Sequence, residues 1–376
     1  MDKTRRAVRV AAAGLAFWGM HAAQAAQLVV GQVGPMSGLE ASQGRAYSVG
    51  LQLHFNAVNR AGGVNGHTLT LARRDDGGRP EDTIAGTRAL IAEDKPIVLA
   101  GYFGTKNIAD LVAAGVLEKE RIALVGYRTA EIRTETPLLY NVRANLRDET
   151  TKLTEHLATI GITRLGLFYE DGPGAGALVT AAEEAARKAK ATITSKASYE
   201  SGSAKVTAAV DLFVKNPPQA IFMVTTGAAA AAFIETYRGA GGTAQLFAHS
   251  GADIEQMSKR LSEEQLHGLA IAQVTPSPYK ISTRLAKEFN DVVTATKNLE
   301  VPVSYAMMEG YIAAKVIVEA VRRQGSRPTR EGMVTALDGM DSYDLGGYVI
   351  SFRPNQRSGS RFVELSIVSG AGKIRQ

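Results

Sequence analysis

Four places in the 376-residue chain hold residue types that could do chemistry. Gly172-Pro173-Gly174-Ala175-Gly176-Ala177 has the spacing of a dinucleotide loop, in which glycines let the backbone approach a pyrophosphate at a helix start. The run lies mid-chain, contains a proline and lacks an acid at the end of the following strand, so it reads as a turn allowing close chain approach. Gly101 to Lys106 resembles a phosphate loop in composition but lacks its spacing. Gly34-Pro35-Met36-Ser37-Gly38 sets a serine between glycines, though not at nucleophile-elbow spacing; it reads as a strand-end turn whose N–H groups face a cleft. Asp75-Asp76 could be a metal pair or catalytic carboxylates, and a strand-end and helix-cap role is expected instead. The six histidines show no H-x-x-x-H or H-x-x-E-H spacing, so no metal site is visible. The absence of cysteine excludes disulfides, thiolate metal sites and cysteine nucleophiles. Met307-Met308 reads as core packing. No nucleophile, base and oxyanion hole can be assembled, so the expectation is a protein that is not an enzyme and uses no cofactor.

The elements that must position such residues alternate along the chain. Leu28 to Val33 is a short β-rich run. In 44–61, Tyr47, Leu51, Phe55 and Val58 recur at spacings of four, four and three, one face of a helix, closed by Gly62-Gly63. Strand Leu69 to Arg73, a helix from Pro80 to about Glu93, strand Ile97 to Ala100, a helix from Asn107 to Leu117 and strand Ile122 to Val125 continue the series. A second series has strands Leu165 to Tyr169, Thr192 to Tyr199, Ala220 to Thr225 and Gln245 to Ala248. Its helices are Ala177 to Ala189, Ala204 to Lys215 and Ala228 to Gly239. Strand Leu269 to Val274, three helical stretches within 282–338, and strands at 347–352 and 361–368 close the chain. Such βαβ alternation implies parallel sheets covered on both faces, here in two α/β units of similar build. Ligands of open α/β sheets sit beyond the carboxyl ends of the strands. The loops to watch are therefore 34–44, 101–106, 126–131, 170–176, 225–228 and 248–252.

Residues 1–25 read as a secretory signal peptide: Lys3, Arg5, Arg6 and Arg9, then the apolar stretch Val10 to Met20, then Ala23-Gln24-Ala25 as a small-x-small cleavage site. The apolar stretch is about half the roughly 20 residues a spanning helix needs. Without that segment, 39 basic residues face 36 acidic ones, so the pI of about 9.3 owes part of its height to a removable end. The remaining Lys and Arg are scattered among acids with no basic run interleaved with aromatics, which speaks against a nucleic-acid partner. A soluble protein in a bacterial periplasm is the expected setting.

Several stretches together resemble the periplasmic leucine/isoleucine/valine-binding proteins of branched-chain amino-acid ABC transporters. They are Gly34 to Gly38, "NRAGGVNGHTLTLARRDD" (Asn59 to Asp76) with "RPEDTIAGTRALI" after it, "YAMMEGYIAAKVIVEAVRR" (Tyr305 to Arg323) and "DLGGYVISF" (Asp344 to Phe352). The resemblance covers the mature chain in family order. It implies the type I periplasmic binding fold: two Rossmann-like α/β lobes with parallel sheets, joined by three hinge crossings near 141–147, 270–277 and 345–350. Lobe 1 would hold 26–143 plus 276–346, and lobe 2 144–275 plus 347–376. The implied role is a monomeric receptor that closes on a small-molecule ligand and delivers it to an inner-membrane ABC permease. A ligand-sensing protein acting on a receptor in trans is the alternative, and an exported enzyme a more remote one.

Carried over residue by residue, the resemblance places Gly104 or Thr105, beside Tyr102 and Phe103, at the ligand carboxylate. Thr129, with Tyr127 two positions before it, matches the pattern after the fourth strand. Gln43 occupies a place often held by tyrosine. The second lobe departs from the amino-acid pattern: the expected tyrosine is replaced around Pro173, the expected aromatic appears as Thr226, and the acid that pairs with a ligand ammonium aligns with Ser250, flanked by His249. A buried ammonium without a counter-charge is costly. Either Asp253 or Glu170 substitutes, or the ligand has no α-ammonium; the second option implies a small carboxylate, aromatic or branched, or an amide-like compound.

Overall fold

The computed structural model describes residues 26–131, 136–353, 356–368 and 374–375. The signal peptide expected over 1–25 lies outside them. The first βαβ series folds as β1 (Gln27–Gly34), β2 (Thr68–Asp75), β3 (Val98–Phe103), β4 (Leu124–Arg128) and β5 (Leu139–Tyr140), paired in the order β2-β1-β3-β4-β5 and parallel throughout. The second gives β6 (Arg164–Asp171), β7 (Thr192–Glu200), β8 (Ala220–Val224), β9 (Gln245–Ala248) and β10 (Ala270–Gln273), also mutually parallel. A hairpin of β11 (Tyr343–Asp344) and β12 (Val349–Ile350) stands apart, while β13 (Glu364–Val368) and β14 (Ile374–Arg375) extend the second sheet antiparallel, in the order β14-β13-β10-β9-β8-β6-β7. Two sheets with their own helices make two lobes.

The first lobe is clamped by the helix Ala41–Arg60 lying against the helix Tyr305–Gln324. The face read from the sequence is the face that is buried: Tyr47, Leu51 and Phe55 join Met307, Met308 and Tyr311 in one core. Burying each such side chain contributes about 1.5–3 kcal/mol. The two backbones approach so closely that a Cβ on Gly50 would lie 2.0 Å from the Met307 carbonyl oxygen, and one on Gly310 2.2 Å from that of Tyr47.

Four departures from the expected elements bear on the cleft. Strand β3 runs on to Phe103, so Tyr102 and Phe103 are not in a loop and must point to opposite faces of the sheet. The helix expected over 107–117 is two, Thr105–Ala113 and Val116–Glu120, because Gly115 takes a left-handed conformation between them. An unanticipated helix, Leu146–Thr159, begins at Asn145, whose side chain accepts from the Asp148 N–H, and packs Leu146, Leu153 and Leu157 under the second sheet. Finally, Tyr348, Ile350 and Phe352 pack in the core of the first sheet, so the chain passes to the second sheet beyond Phe352 and not at 345–350. The Tyr348 hydroxyl reaches the carbonyls of Val142 (2.7 Å) and Val274 (2.9 Å), which ties two of the lobe-to-lobe passages together.

Candidate functional site

The carboxyl ends of β1, β3 and β4 face those of β6, β8 and β9 across a cleft, and side chains cross it. Thr105 donates to Glu170 (3.0 Å), Gln43 to the Gly251 carbonyl (3.3 Å) and Gln256 to the Leu39 carbonyl (2.8 Å); the Ala228 N–H donates to Glu40 (3.3 Å). The lobes are thus closed on each other. Between them lies an inner compartment of about 440 Å³ walled by Gln43, Arg128, Thr129, Ala130, Arg143, Thr225, His249 and Gly251. It leads into an outer one of about 890 Å³ with Pro35, Leu39, Pro80, Lys106, Asn107 and Ser201 to Ser203 in its walls. Glu40, Phe103, Gly104, Thr105, Glu170 and Thr226 border both.

An alternating chain of charges backs the inner compartment. Arg128, at the end of β4, pairs with Glu309 of the long helix (2.9 Å) and donates to Gln43. Arg143, in the first passage between lobes, lies 3.5 Å from Glu309, pairs with Glu149 of the second lobe (2.9 Å) and donates to Ser250. Glu149 also accepts from the Ser250 N–H (2.7 Å) and hydroxyl (3.0 Å). Each arginine therefore has carboxylate partners, as charges held this far from water require, and among the described residues Arg128 keeps further guanidinium N–H donors uncommitted. Phe103 and Arg128 are register partners on β3 and β4, and the guanidinium carbon sits 5.7 Å from the ring centroid. Gly104 has φ +101, a conformation that favours glycine, and turns the chain so that the helix Thr105–Ala113 starts at the cavity wall with no side chain capping its N–H groups. Helix starts of this kind attract anions.

Four carboxylates border the seam without a cation at ion-pair distance among the described residues: Glu40, Glu170, Asp253 and Glu255. Among the described residues Glu170 accepts only from hydroxyls, those of Thr105 and Ser201 (2.6 Å). Asp253 caps the helix Ile254–Arg260 through the Gln256 N–H. Glu40 accepts from Gln43 (2.7 Å) as well as Ala228, yet loss of water around its carboxyl, reinforced by Asp253 and Glu170, pushes it up to about 7. Burial lowers His249, its ring bonded to the Thr225 carbonyl (2.8 Å).

Of the residues singled out from the sequence, Gln43, Phe103, Gly104, Thr105, Thr129 and Thr226 line the inner compartment. Tyr102 does not. Strand alternation turns it to the opposite face, where its hydroxyl meets Thr87 (3.0 Å) in a closed core. Its register partner Tyr127 shares that face and lines a neighbouring cavity of about 530 Å³, which touches the inner compartment at Thr129 and Arg143. Pro173 is exposed on its glycine-rich turn and borders neither compartment. Ser250 is buried behind the wall, consumed by Glu149 and Arg143. Asp75 and Asp76 take the strand-end roles expected: Asp75 accepts from the N–H groups of Met36, Ser37 and Gly77, and Asp76 from Gly78 and the Thr83 hydroxyl.

Arg128, Arg143, Glu40, Glu149 and Glu309 were not anticipated at the site. Two carried a signal: Arg128 ends an otherwise apolar strand one residue from Tyr127, and Glu309 interrupts the apolar face of a buried helix. Arg143 and Glu149 carried none, since only folding brings them to Ser250.

A closed cleft between two α/β lobes, walled by side chains from both, defines a two-lobed binding protein of the type I periplasmic binding fold. The sequence agrees: a model of the periplasmic binding protein family matches residues 27–368, and the chain belongs to that family. It is similar to a substrate-binding periplasmic protein from Ralstonia solanacearum, with TM-score 0.87 and 36% identity over 93% of this chain and 99% of that one. It is 24% identical to the Leu/Ile/Val-binding protein homolog 8 of Brucella abortus (strain 2308) over 355 residues, 89% of this chain and 86% of the other. The fold is shared with a solute-binding protein of an R. palustris ABC transporter crystallised with benzoate, with TM-score 0.77 and 15% identity over 93% of this chain and 95% of that one. The members of this family are periplasmic solute-binding proteins, and these relatives are binding proteins rather than enzymes.

Proposed function

We propose that the chain is the periplasmic receptor of an ABC importer. It is exported with cleavage near Ala25, acts as a monomer, and traps a small carboxylate-bearing solute between its lobes for delivery to an inner-membrane permease. The observation that carries this reading is Arg128. It lines the cleft together with Thr129 and the uncapped start of the helix Thr105–Ala113, with N–H donors to spare among the described residues. Charge-assisted bonds from such a set suit a carboxylate, while Phe103, Leu39 and Pro80 offer apolar wall to an aromatic or branched aliphatic body.

The position that would answer an α-ammonium supports the same reading. Ser250 stands there, and the carboxylate nearest to it, Glu149, is neutralised by Arg143. An amino-acid-like solute would have to place its ammonium against Glu170 instead, the one wall carboxylate bonded only to hydroxyls among the described residues. A thermal-shift panel separates these solutes, because a ligand at 100 times its Kd adds about 2.7 kcal/mol of stability. Benzoate and short branched carboxylates are expected to raise the melting temperature, and leucine, isoleucine and valine to leave it in place. A panel in which only amino acids stabilise the protein would replace the simple acid by the amino-acid-like solute.

A further inference from the structure

We propose that Glu40 enters the closed cleft as a neutral carboxylic acid, so that closing the lobes takes up a proton and equips the site with an O–H donor for an anionic solute. The first half stands without any assumption about the solute; the second rests on the carboxylate reading above.

The argument begins with crowding. Glu40 precedes the helix Ala41–Arg60 in the first lobe, and its carboxyl bridges to the second at the Ala228 N–H (3.3 Å). Glu170, at the end of β6, borders the same two compartments, and Asp253 faces Glu40 from the start of the helix Ile254–Arg260. Of the surrounding cations, Arg128 is engaged with Glu309 and Gln43, Arg143 with Glu149 and Lys106 with Asp110, while Lys259 crosses from the second lobe to the Ser42 hydroxyl (3.3 Å) and not to Glu40. Burial lowers His249, whose ring is bonded to the Thr225 carbonyl and accepts from the Gly251 N–H. Like charges brought together where water is partly displaced, with Glu170 and Asp253 buried and Glu40 half-buried, cannot all stay ionised. Glu40 is the member whose surroundings change most on closure: it keeps Gln43 of its own lobe, but Ala228 and Thr226 and its neighbours Asp253 and Glu170 all belong to the other.

The sign follows. A carboxyl near 4.5 when solvated and near 7 when closed binds its proton more tightly in the closed form. Closure is therefore least impeded below about 4.5 and is progressively opposed as the pH rises towards 7, by on the order of 100-fold in the closed-to-open ratio. A second raised carboxyl, Glu255, pushed to about 8 by burial and by Asp253, accepts from Tyr279 and the Tyr305 N–H and titrates in an overlapping range.

The test needs no ligand and exploits the absence of native cysteine. Spin labels on Glu81→Cys and Thr180→Cys, exposed residues of opposite lobes, report the distribution of interlobe distances by pulsed electron resonance. The closed population is expected to grow as the pH falls from 8 to 5. In Glu40→Gln the dependence should shrink to the part that Glu255 supplies near the upper end of that range. Glu40→Ala, which removes the carboxyl altogether, should behave likewise and covers the case that Glu40→Gln folds poorly. A pH-independent distribution in the otherwise native protein would overturn the proposal. Persistence of the full pH effect in either variant would overturn it equally, moving the proton to Glu255. Neither result would touch the solute class, which the thermal-shift panel decides.

Discussion

Arg128 and Glu309 meet behind the inner compartment, with Nη2 at 2.9 Å and Nε at 3.2 Å from the same carboxylate oxygen. One residue ends β4 and the other lies on the long helix Tyr305–Gln324; both side chains are almost wholly removed from water. A buried pair of this kind adds little over a well-packed apolar substitute, but losing one partner strands the other charge. Its service here is to aim a guanidinium into a cleft.

Glu309→Gln is expected to lower stability by about 3–5 kcal/mol, because Arg128 and Arg143 both lose their shared counter-charge. Urea denaturation at neutral pH measures it. A loss below about 1 kcal/mol would mean that water reaches the guanidinium groups and that the pair does not hold them.

Gly50→Ala tests the clamp between the two long helices. At an ordinary interior helix position the change gains up to about 1 kcal/mol. Here the new methyl would lie 2.0 Å from the Met307 carbonyl oxygen, and backbone cannot swing aside as a side chain can. A loss of about 1–3 kcal/mol or more is expected on unfolding, and a gain would contradict the packing.

Thr129→Ala and Tyr127→Ala should separate what their sequence proximity joins. Thr129 borders the inner compartment, so losing its hydroxyl should weaken solute binding about 10- to 100-fold, the worth of a hydrogen bond to a charged group, with the melting temperature nearly unchanged. Tyr127 is buried against the opposite face. Its loss should cost about 3–5 kcal/mol of stability while calorimetry finds solute affinity within a few-fold of the original.

His54 is half-buried on the helix Ala41–Arg60 with its ring edge-on to Tyr311, and desolvation, aided by Lys315 and Arg322, lowers it to about 3. The unfolded chain takes a proton near 6.5 that the folded one refuses, so stability is full above that pH and falls as the pH drops towards 3. By pH 4 the loss should reach about 3 kcal/mol. The comparison is a urea series from pH 7.5 to 4: His54→Gln should flatten the part of the decline due to this group, and an unchanged slope would assign it to other residues.

Much of this architecture was legible before folding. Alternating β-rich and helical periods sufficed for two α/β units, and the spacing of Tyr47, Leu51 and Phe55 marked a buried helix face correctly, because both signals are local. Gln43, Phe103, Gly104, Thr105, Thr129 and Thr226 could be placed at a cleft for a related reason: each stands where a strand ends or a helix begins, and ends of elements in doubly wound sheets face the ligand. Tyr102 and Tyr127 were misplaced by a single residue's worth of strand. With a period of two, extending β3 and β4 by a few residues sends every second side chain to the other face.

The sequence by itself determined the class of chain, the order of its elements and the loops that meet at the cleft, since periodicity, turn residues and composition act over a few neighbouring positions. Only the tertiary structure decided the charges there. Arg128 finds Glu309 181 positions away, and Arg143 and Glu149 occupy Ser250 from over 100 positions away. Which carboxylate is neutralised and which must carry a proton depends on distance and on exclusion of water, and neither exists until the two lobes close around one space.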